Sequence, residues 1–199
     1  MLCRWAGNRD WVRGLMIEIR IHGRGGQGAV VASAVLASAL FYDGRYVQAF
    51  PAFGVERRGA PVMAFTRWDF KPIRIRTNVY YPNHIIVLDW TLILEGVDVA
   101  TGLKENGWIL INSSKNLEVG DFSKFKVAIV DAGSIAVSHK LGTPTAPVIN
   151  TAILGAFSKI TGMVTIGSVI RAIRDNVPDK QEENVAAARE AYSKVHRVI

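Results

Sequence analysis

The chain reads as an α/β protein: a three-layer, mostly parallel, doubly wound sheet with some antiparallel strands and a helical C-terminal tail. Three observations predict it. Residues 17–50 run strand pattern, glycine-rich turn, small-residue helix, strand pattern, and such a unit favours parallel strands joined by a crossover helix. Short apolar runs at 84–88, 108–112 and 126–131 have the length and composition of buried strands. Beyond residue 134 the apolar spacing turns helical and stays so to the end.

Ile17-Glu18-Ile19-Arg20-Ile21-His22 alternates apolar and polar side chains, the period of a strand with one buried face. The turn 23–28 follows, then small and apolar residues from Ala29 to Leu40 predict a helix able to pack closely on a sheet. Asp43-Gly44 ends it. Arg45–Phe50 is the second strand, and 51–59 a loop of turn formers and charge. Pro61–Trp68, Lys71–Ile75 and Thr77–Tyr80 read as further strands, some antiparallel because their links are short. His84–Leu88 is an apolar strand, Thr91–Lys104 helical, and Asn106-Gly107 a stop; Trp108–Asn112 and Lys126–Asp131 are strands. Ser134–Leu141, Asn150–Thr161, Ile166–Asp175 and Asp179–Val198 carry helical spacing, with starts marked by Thr165 and Pro178-Asp179.

Composition narrows the function. The 199 residues suit one domain, 16–199, preceded by an extension, 1–15, that lacks the apolar centre of a signal peptide. Met16 stands directly before the first strand pattern and is a candidate start. No apolar run approaches the roughly 18 residues of a membrane span. The single cysteine, Cys3, excludes an internal disulfide, a cluster held by four thiolates of this chain, and a multi-cysteine zinc site. Absence of disulfides suits a reducing cytoplasm. Net charge is +7, compatible with a plain basic surface, an acidic partner or a phosphorylated ligand. The basic residues are scattered with no recognition motif, which argues against nucleic acid.

Gly23, Gly25 and Gly28 satisfy G-x-G-x-x-G between a strand and a helix, the context of a Rossmann-like phosphate turn. Glycines there turn tightly and let backbone amides approach an anion at the helix N-terminus. A ligand-free tight turn would use the same residues. The nicotinamide reading also needs an acidic residue at the end of the second strand, where this chain has Val47-Gln48-Ala49-Phe50. The second loop follows the second strand, which in a doubly wound sheet puts it near the carboxyl edge beside the glycine turn. It carries Arg57 and Arg58 beside Gly59, forked donors suited to phosphate or carboxylate. A solvated charged turn is the plainer alternative. His22 and His84 fall on strands as structural histidines, and Asp89, Asp131, Asn150 and Thr151 fall where caps are expected. No nucleophile–base pair and no metal-ligand set emerges from spacing.

Gly-Arg-Gly-Gly-Gln-Gly at 23–28 and Phe-Gly-Val-Glu-Arg-Arg-Gly-Ala-Pro-Val at 53–62 closely resemble the gamma subunit of pyruvate:ferredoxin oxidoreductase. The resemblance continues through 71–74, 88–92, 148–157 and 183–188, in order, covering residues 16 to about 195. Asp89-Trp90 stands where the family suggests Asp-Pro, and residues 1–15 match nothing in it. The resemblance implies one subunit of a complex converting pyruvate, coenzyme A (CoA) and oxidised ferredoxin to acetyl-CoA, carbon dioxide and reduced ferredoxin. It implies alpha, beta and delta partners that hold thiamine diphosphate and iron–sulfur clusters, with no cofactor tightly bound here. It further implies a gamma domain that closes over the active site and helps bind CoA. The residues expected to do so are Gly23, Arg24, Gly25, Gly26, Gln27, Gly28, Arg57, Arg58 and Gly59: amides of 25–28 for phosphate oxygens, the three arginines for charge. A purely structural subunit of a ketoisovalerate-type complex and a stand-alone NAD-binding oxidoreductase are the alternatives.

Overall fold

Both faces of the central sheet are covered, and the two coverings differ in kind. The computed structural model describes residues 16–52, 58–115 and 122–199. Seven strands lie in the order β2 (Tyr46–Pro51), β3 (Pro61–Asp69), β1 (Ile17–Arg24), β4 (His84–Val87), β5 (Trp108–Asn112), β6 (Lys126–Val130) and β9 (His196–Arg197). β1, β4, β5 and β6 are parallel neighbours, while β3 and β9 run antiparallel to the strands they meet. β3 is inserted between β1 and β2, so the opening βαβ unit is parallel in direction but its strands are not adjacent.

One face carries α1 (Ala29–Tyr42), α3 (Ala132–Ser138), α4 (Ala152–Thr161), α5 (Ile166–Asn176) and α6 (Gln181–Lys194), packed with Ile19, Ile21, Ile86, Leu110 and Ala128 into the larger core. Small residues permit the closest approach. Gly155 of α4 faces α6 so tightly that a Cβ there would stand 1.8 Å from the Ala188 carbonyl oxygen. The opposite face carries a smaller core in which Ile85, Val87, Ile109 and Ile111 meet Val99, Leu103 and Phe122. Among the described residues, and apart from α2 (Thr91–Leu94), that layer is built of turns and loops.

Several expectations are corrected. Residues 71–75 and 77–80 form no strands but a strap across the sheet, where Arg67 donates to the carbonyls of Thr77 (2.6 Å) and Asn78 (3.2 Å). The predicted helix 91–104 stops at Leu94, because Gly96 and Gly102 adopt positive φ (80° and 73°) and turn the chain. The last helix ends at Lys194, and β9 then pairs with β6. A short hairpin, β7 (Gly142–Thr143) with β8 (Ala146–Pro147), was not anticipated. The first fifteen residues lie outside the described ones. Among the described residues, no helix is long and apolar enough to cross a membrane.

The polar side of β1 is buried as well. Arg20 Nε donates to His22 Nε2 at 2.9 Å and its Nη2 reaches the Val99 and Thr101 carbonyls. Burial, reinforced by the Arg20 charge, pushes His22 down to about 3 from 6.5. Burial, with Lys126 nearby, does the same to His84, whose Nδ1 accepts from the Trp108 amide at 3.1 Å. Unfolding frees both rings to take a proton, so the unfolded state binds more protons between pH 6.5 and about 3. Stability is therefore full above this window and is lost as pH falls through it, by up to about 1.4 kcal/mol per pH unit for each ring. Thermal unfolding measured from pH 7 to 4 should show this slope, and His84→Gln should flatten it. A slope identical in the variant would mean that His84 is already charged in the fold.

Candidate functional site: the cleft at the strand carboxyl ends

Chain direction through the sheet reverses its order of march at β1. α1 carries the chain away to β2 on one side, while β4, β5 and β6 build outward on the other. In open α/β sheets the crevice at such a switch, beyond the strand carboxyl ends, is where ligands bind. A cleft of about 600 Å³ lies there. Its floor is the glycine turn after β1, its sides are Leu88, Asp89 and Trp90 after β4 and Asn112 ending β5, and its far wall is 145–150 with β8.

The turn is held by its own bonds. Gly23 is buried, and a Cβ there would meet Leu88 Cδ1 at 3.1 Å. Gly26 and Gly28 take positive φ, 96° and 80°, conformations that glycine adopts without strain. Gly28 also lies under Asn150, whose Nδ2 would be 2.4 Å from an added Cβ. Expected amides divide into two groups. Gly25 N–H donates to the Ala60 carbonyl (2.9 Å) and Gln27 N–H to the Arg24 carbonyl (2.9 Å), so neither is available to a ligand without breaking the turn. Among the described residues no acceptor meets the Gly26 or Gly28 amides, and Gly28 opens α1 with the first-turn N–H groups behind it.

The two loops predicted to be neighbours are in contact. Gly25 and Arg58 form a parallel bridge, and Gly59 N–H (φ 81°) donates to the Gly25 carbonyl at 3.0 Å. Arg58 is exposed, lines the cleft and makes no ion pair among the described residues. Arg57 lies outside the described residues.

Arg24 departs from its expected role. Its guanidinium bonds Asp89 (Nε to Oδ2, 2.9 Å), Glu95 (2.7 Å), Thr91 (2.8 Å) and the Gly59 carbonyl (3.3 Å). The Glu95 bond, then Asp89, raises the Arg24 pKa. The protein's own carboxylates thus use Arg24 as a clamp joining the turn, the second loop and the start of α2. Asp89 is the hub: besides Arg24 it accepts from Gln27 Nε2 (2.9 Å) and from the Thr91 amide (3.0 Å) and hydroxyl (2.6 Å). Partial burial alone would raise its pKa, but the Thr91, Gln27 and Arg24 bonds prevail and hold the carboxyl below its usual range. The helix-cap role expected of Asp89 is not the one it takes. Trp90 is the N-cap of α2, with no side-chain cap bond, and Asp89, one residue earlier, ties the Thr91 amide to Gln27 and Arg24, a task that depends on strand order.

Asn150 was also read as a cap, as was Thr151. Neither side chain caps α4: Thr151 Oγ1 donates to Asn184 Oδ1 at 2.6 Å, and Asn150 instead lines the cleft, 9% exposed, its Oδ1 buried without a partner among the described residues. Asp131 does cap, accepting from Ser134 N–H at 2.9 Å. For a nicotinamide dinucleotide the geometry adds an obstacle. The strand beside β1 on that side is β3, running the other way, so the end of β2 that would hold ribose is not next to the turn.

Fold and cleft together define a doubly wound α/β domain whose switch point carries, among the described residues, a glycine turn with two unbonded amides and Arg58 outside any ion pair. The chain belongs to the pyruvate ferredoxin/flavodoxin oxidoreductase family, whose family model matches residues 18–194. It is 55% identical over 184 residues to the pyruvate/ketoisovalerate oxidoreductases common subunit gamma of Pyrococcus abyssi, covering 90% of this chain and 97% of that one. It is 51% identical over 184 residues to pyruvate synthase subunit PorC of Methanothermobacter thermautotrophicus, covering 92% and 98%. Among solved structures, the pyruvate oxidoreductase subunit PORC of Thermotoga maritima superposes with a TM-score of 0.76 at 34% identity, over 92% of this chain and 99% of that one. The gamma-subunit resemblance carried by residues 23–28 and 53–62 therefore extends through the chain.

Proposed function

We propose that the chain is the gamma subunit of a 2-oxoacid:ferredoxin oxidoreductase acting on pyruvate, and that its cleft takes CoA. The relatives' names support the assembly and the reaction. The observation that carries the cleft's part is the seam between the two loops, Gly59 N–H to Gly25 O, which sets Arg58 beside the free Gly26 and Gly28 amides. A diphosphate fits that chemistry: two amides and a helix N-terminus on one side, a guanidinium fork on the other. Val31 and Val148, both exposed and lining the same cleft, offer apolar cover to the pantetheine arm.

In this reading the chain performs no bond-making step. It binds and orients CoA, and its closure over the neighbouring active site excludes water while the thiol is presented. Arg24, Gln27 and Asp89 position the turn rather than touch the ligand. Thiamine diphosphate and the iron–sulfur clusters are assigned to alpha, beta and delta companions; the one cysteine, Cys3, falls short of the four thiolates that a cluster takes.

Steady-state kinetics of the assembled complex carrying Arg58→Ala test the proposal. A charge-assisted hydrogen bond contributes about 1.5–3 kcal/mol, so the KM for CoA should rise about ten- to a hundredfold with the KM for pyruvate unchanged. Weakened assembly with an unaltered CoA KM would instead favour a purely structural subunit.

A further inference from the structure

The sheet ends at β2, two places in strand order from β1, and that edge has an unusual neighbour. β2 pairs with β3 on one side and, among the described residues, with no strand on the other. The strap 70–81 lies against it: Gln48 Nε2 donates to the Ile73 carbonyl at 3.3 Å, and the Arg45 guanidinium stacks 4.2 Å from the Phe70 ring. Between strap and strand is a shallow depression of about 350 Å³ lined by Gln48, Ala49, Phe50 and Arg76.

Two properties make this face more than ordinary surface. From Phe70 to Leu88 the chain carries Lys71, Arg74 and Arg76 and no Asp or Glu; Asp69, just before, is occupied by the Phe70 and Lys71 amides. All three cations are exposed, and none is in an ion pair among the described residues. Interleaved with them are large apolar side chains left in solvent: Tyr46 (50% exposed), Phe70 (46%) and Ile75 (44%). Uncompensated charge beside exposed aromatic surface is the composition of an interface waiting for its complement.

We propose that this face docks an acidic segment of a different polypeptide, seated beside β2 with an apolar side chain in the depression and its carboxylates on Lys71, Arg74 and Arg76. The charge selects the partner. A second copy pairing edge to edge would bring two sets of unpaired cations together, and like charges in register oppose association. A nucleic acid would leave the Tyr46, Phe70 and Ile75 surface uncovered along with the open strand edge, whereas a protein strand or loop satisfies both. The inference does not depend on the CoA reading, since it concerns another part of the molecule.

A photo-crosslinking residue at Ile75 in the native assembly identifies the neighbour, and charge reversal measures what the cations contribute. Crosslinks should run to an Asp/Glu-rich segment of another polypeptide. Lys71→Glu/Arg74→Glu/Arg76→Glu should weaken association of the full chain with that polypeptide at least tenfold and abolish most of its salt dependence. The milder Lys71→Gln/Arg74→Gln/Arg76→Gln chain, checked by an unchanged melting temperature, should fall between. Crosslinks to a second copy or to nucleic acid, or association and salt dependence unmoved in the Gln chain, would overturn the proposal.

Discussion

Gly155→Ala is expected to cost about 2–3 kcal/mol of stability despite placing a better helix former inside a helix. Alanine in place of glycine normally gains about 0.5–1 kcal/mol there. Here the added methyl would sit 1.8 Å from the Ala188 carbonyl oxygen and 2.6 Å from its carbon, both backbone atoms that no rotamer change can move. α4 and α6 must separate, and their neighbours Ala187, Ala188 and Ala191 are wholly buried. Overpacking of this kind costs about 1–3 kcal/mol and occasionally more. For a chain of this length the melting temperature should drop by roughly 5–10 °C. An unchanged or raised melting temperature would mean that the two helices do not touch at Gly155.

The second large effect is expected at Gly28. Alanine there must hold φ near 80° and displace the Asn150 carboxamide, whose Nδ2 lies 2.4 Å from the new Cβ. The left-handed backbone alone costs roughly 1–2 kcal/mol. The turn relieves this by rotating, which re-aims both the Gly26 and the Gly28 amides. Losing two charge-assisted bonds of about 1.5 kcal/mol each should raise the CoA KM on the order of a hundredfold. Gly26→Ala separates strain from aim: its φ is also positive, but no atom lies within 4 Å of its Cβ. It should share the backbone cost and leave Asn150 in place, so its KM should rise less.

How far the sequence reaches can be seen element by element. The strand at Ile17 was legible because its side chains alternate with a two-residue period, and the runs at 84, 108 and 126 and the helix at Ala29 because buried elements show as apolar stretches of characteristic length between turn signals. The strap differs from its sequence pattern. Ile73 and Ile75 alternate with charge as a strand would, but the segment is held by side-chain bonds such as Arg67 to the Thr77 carbonyl rather than by a strand ladder, and Ile75 stays exposed. The helical spacing after Thr91 outruns the helix because Gly96 and Gly102, turn signals in the sequence, bend the chain at positive φ. At the site, the meeting of the glycine turn with Gly59 followed from strand polarity. The commitment of Arg24 to Asp89 and Glu95 did not, since residues 65 and 71 positions apart become neighbours only through the order of β1 and β4. Asn150 was hidden likewise. A helix-start position explains an asparagine well enough that nothing in the sequence points to the cleft.

In the proposed function the Gly26 and Gly28 amides and Arg58 form one anion seat for CoA. The structure of the assembled complex with CoA bound tests it most directly, through the position of the diphosphate. Diphosphate oxygens should lie within hydrogen-bonding distance, about 2.7–3.2 Å, of both amides and of the Arg58 guanidinium. A diphosphate held elsewhere, with a companion subunit's side chains filling this cleft, would contradict it.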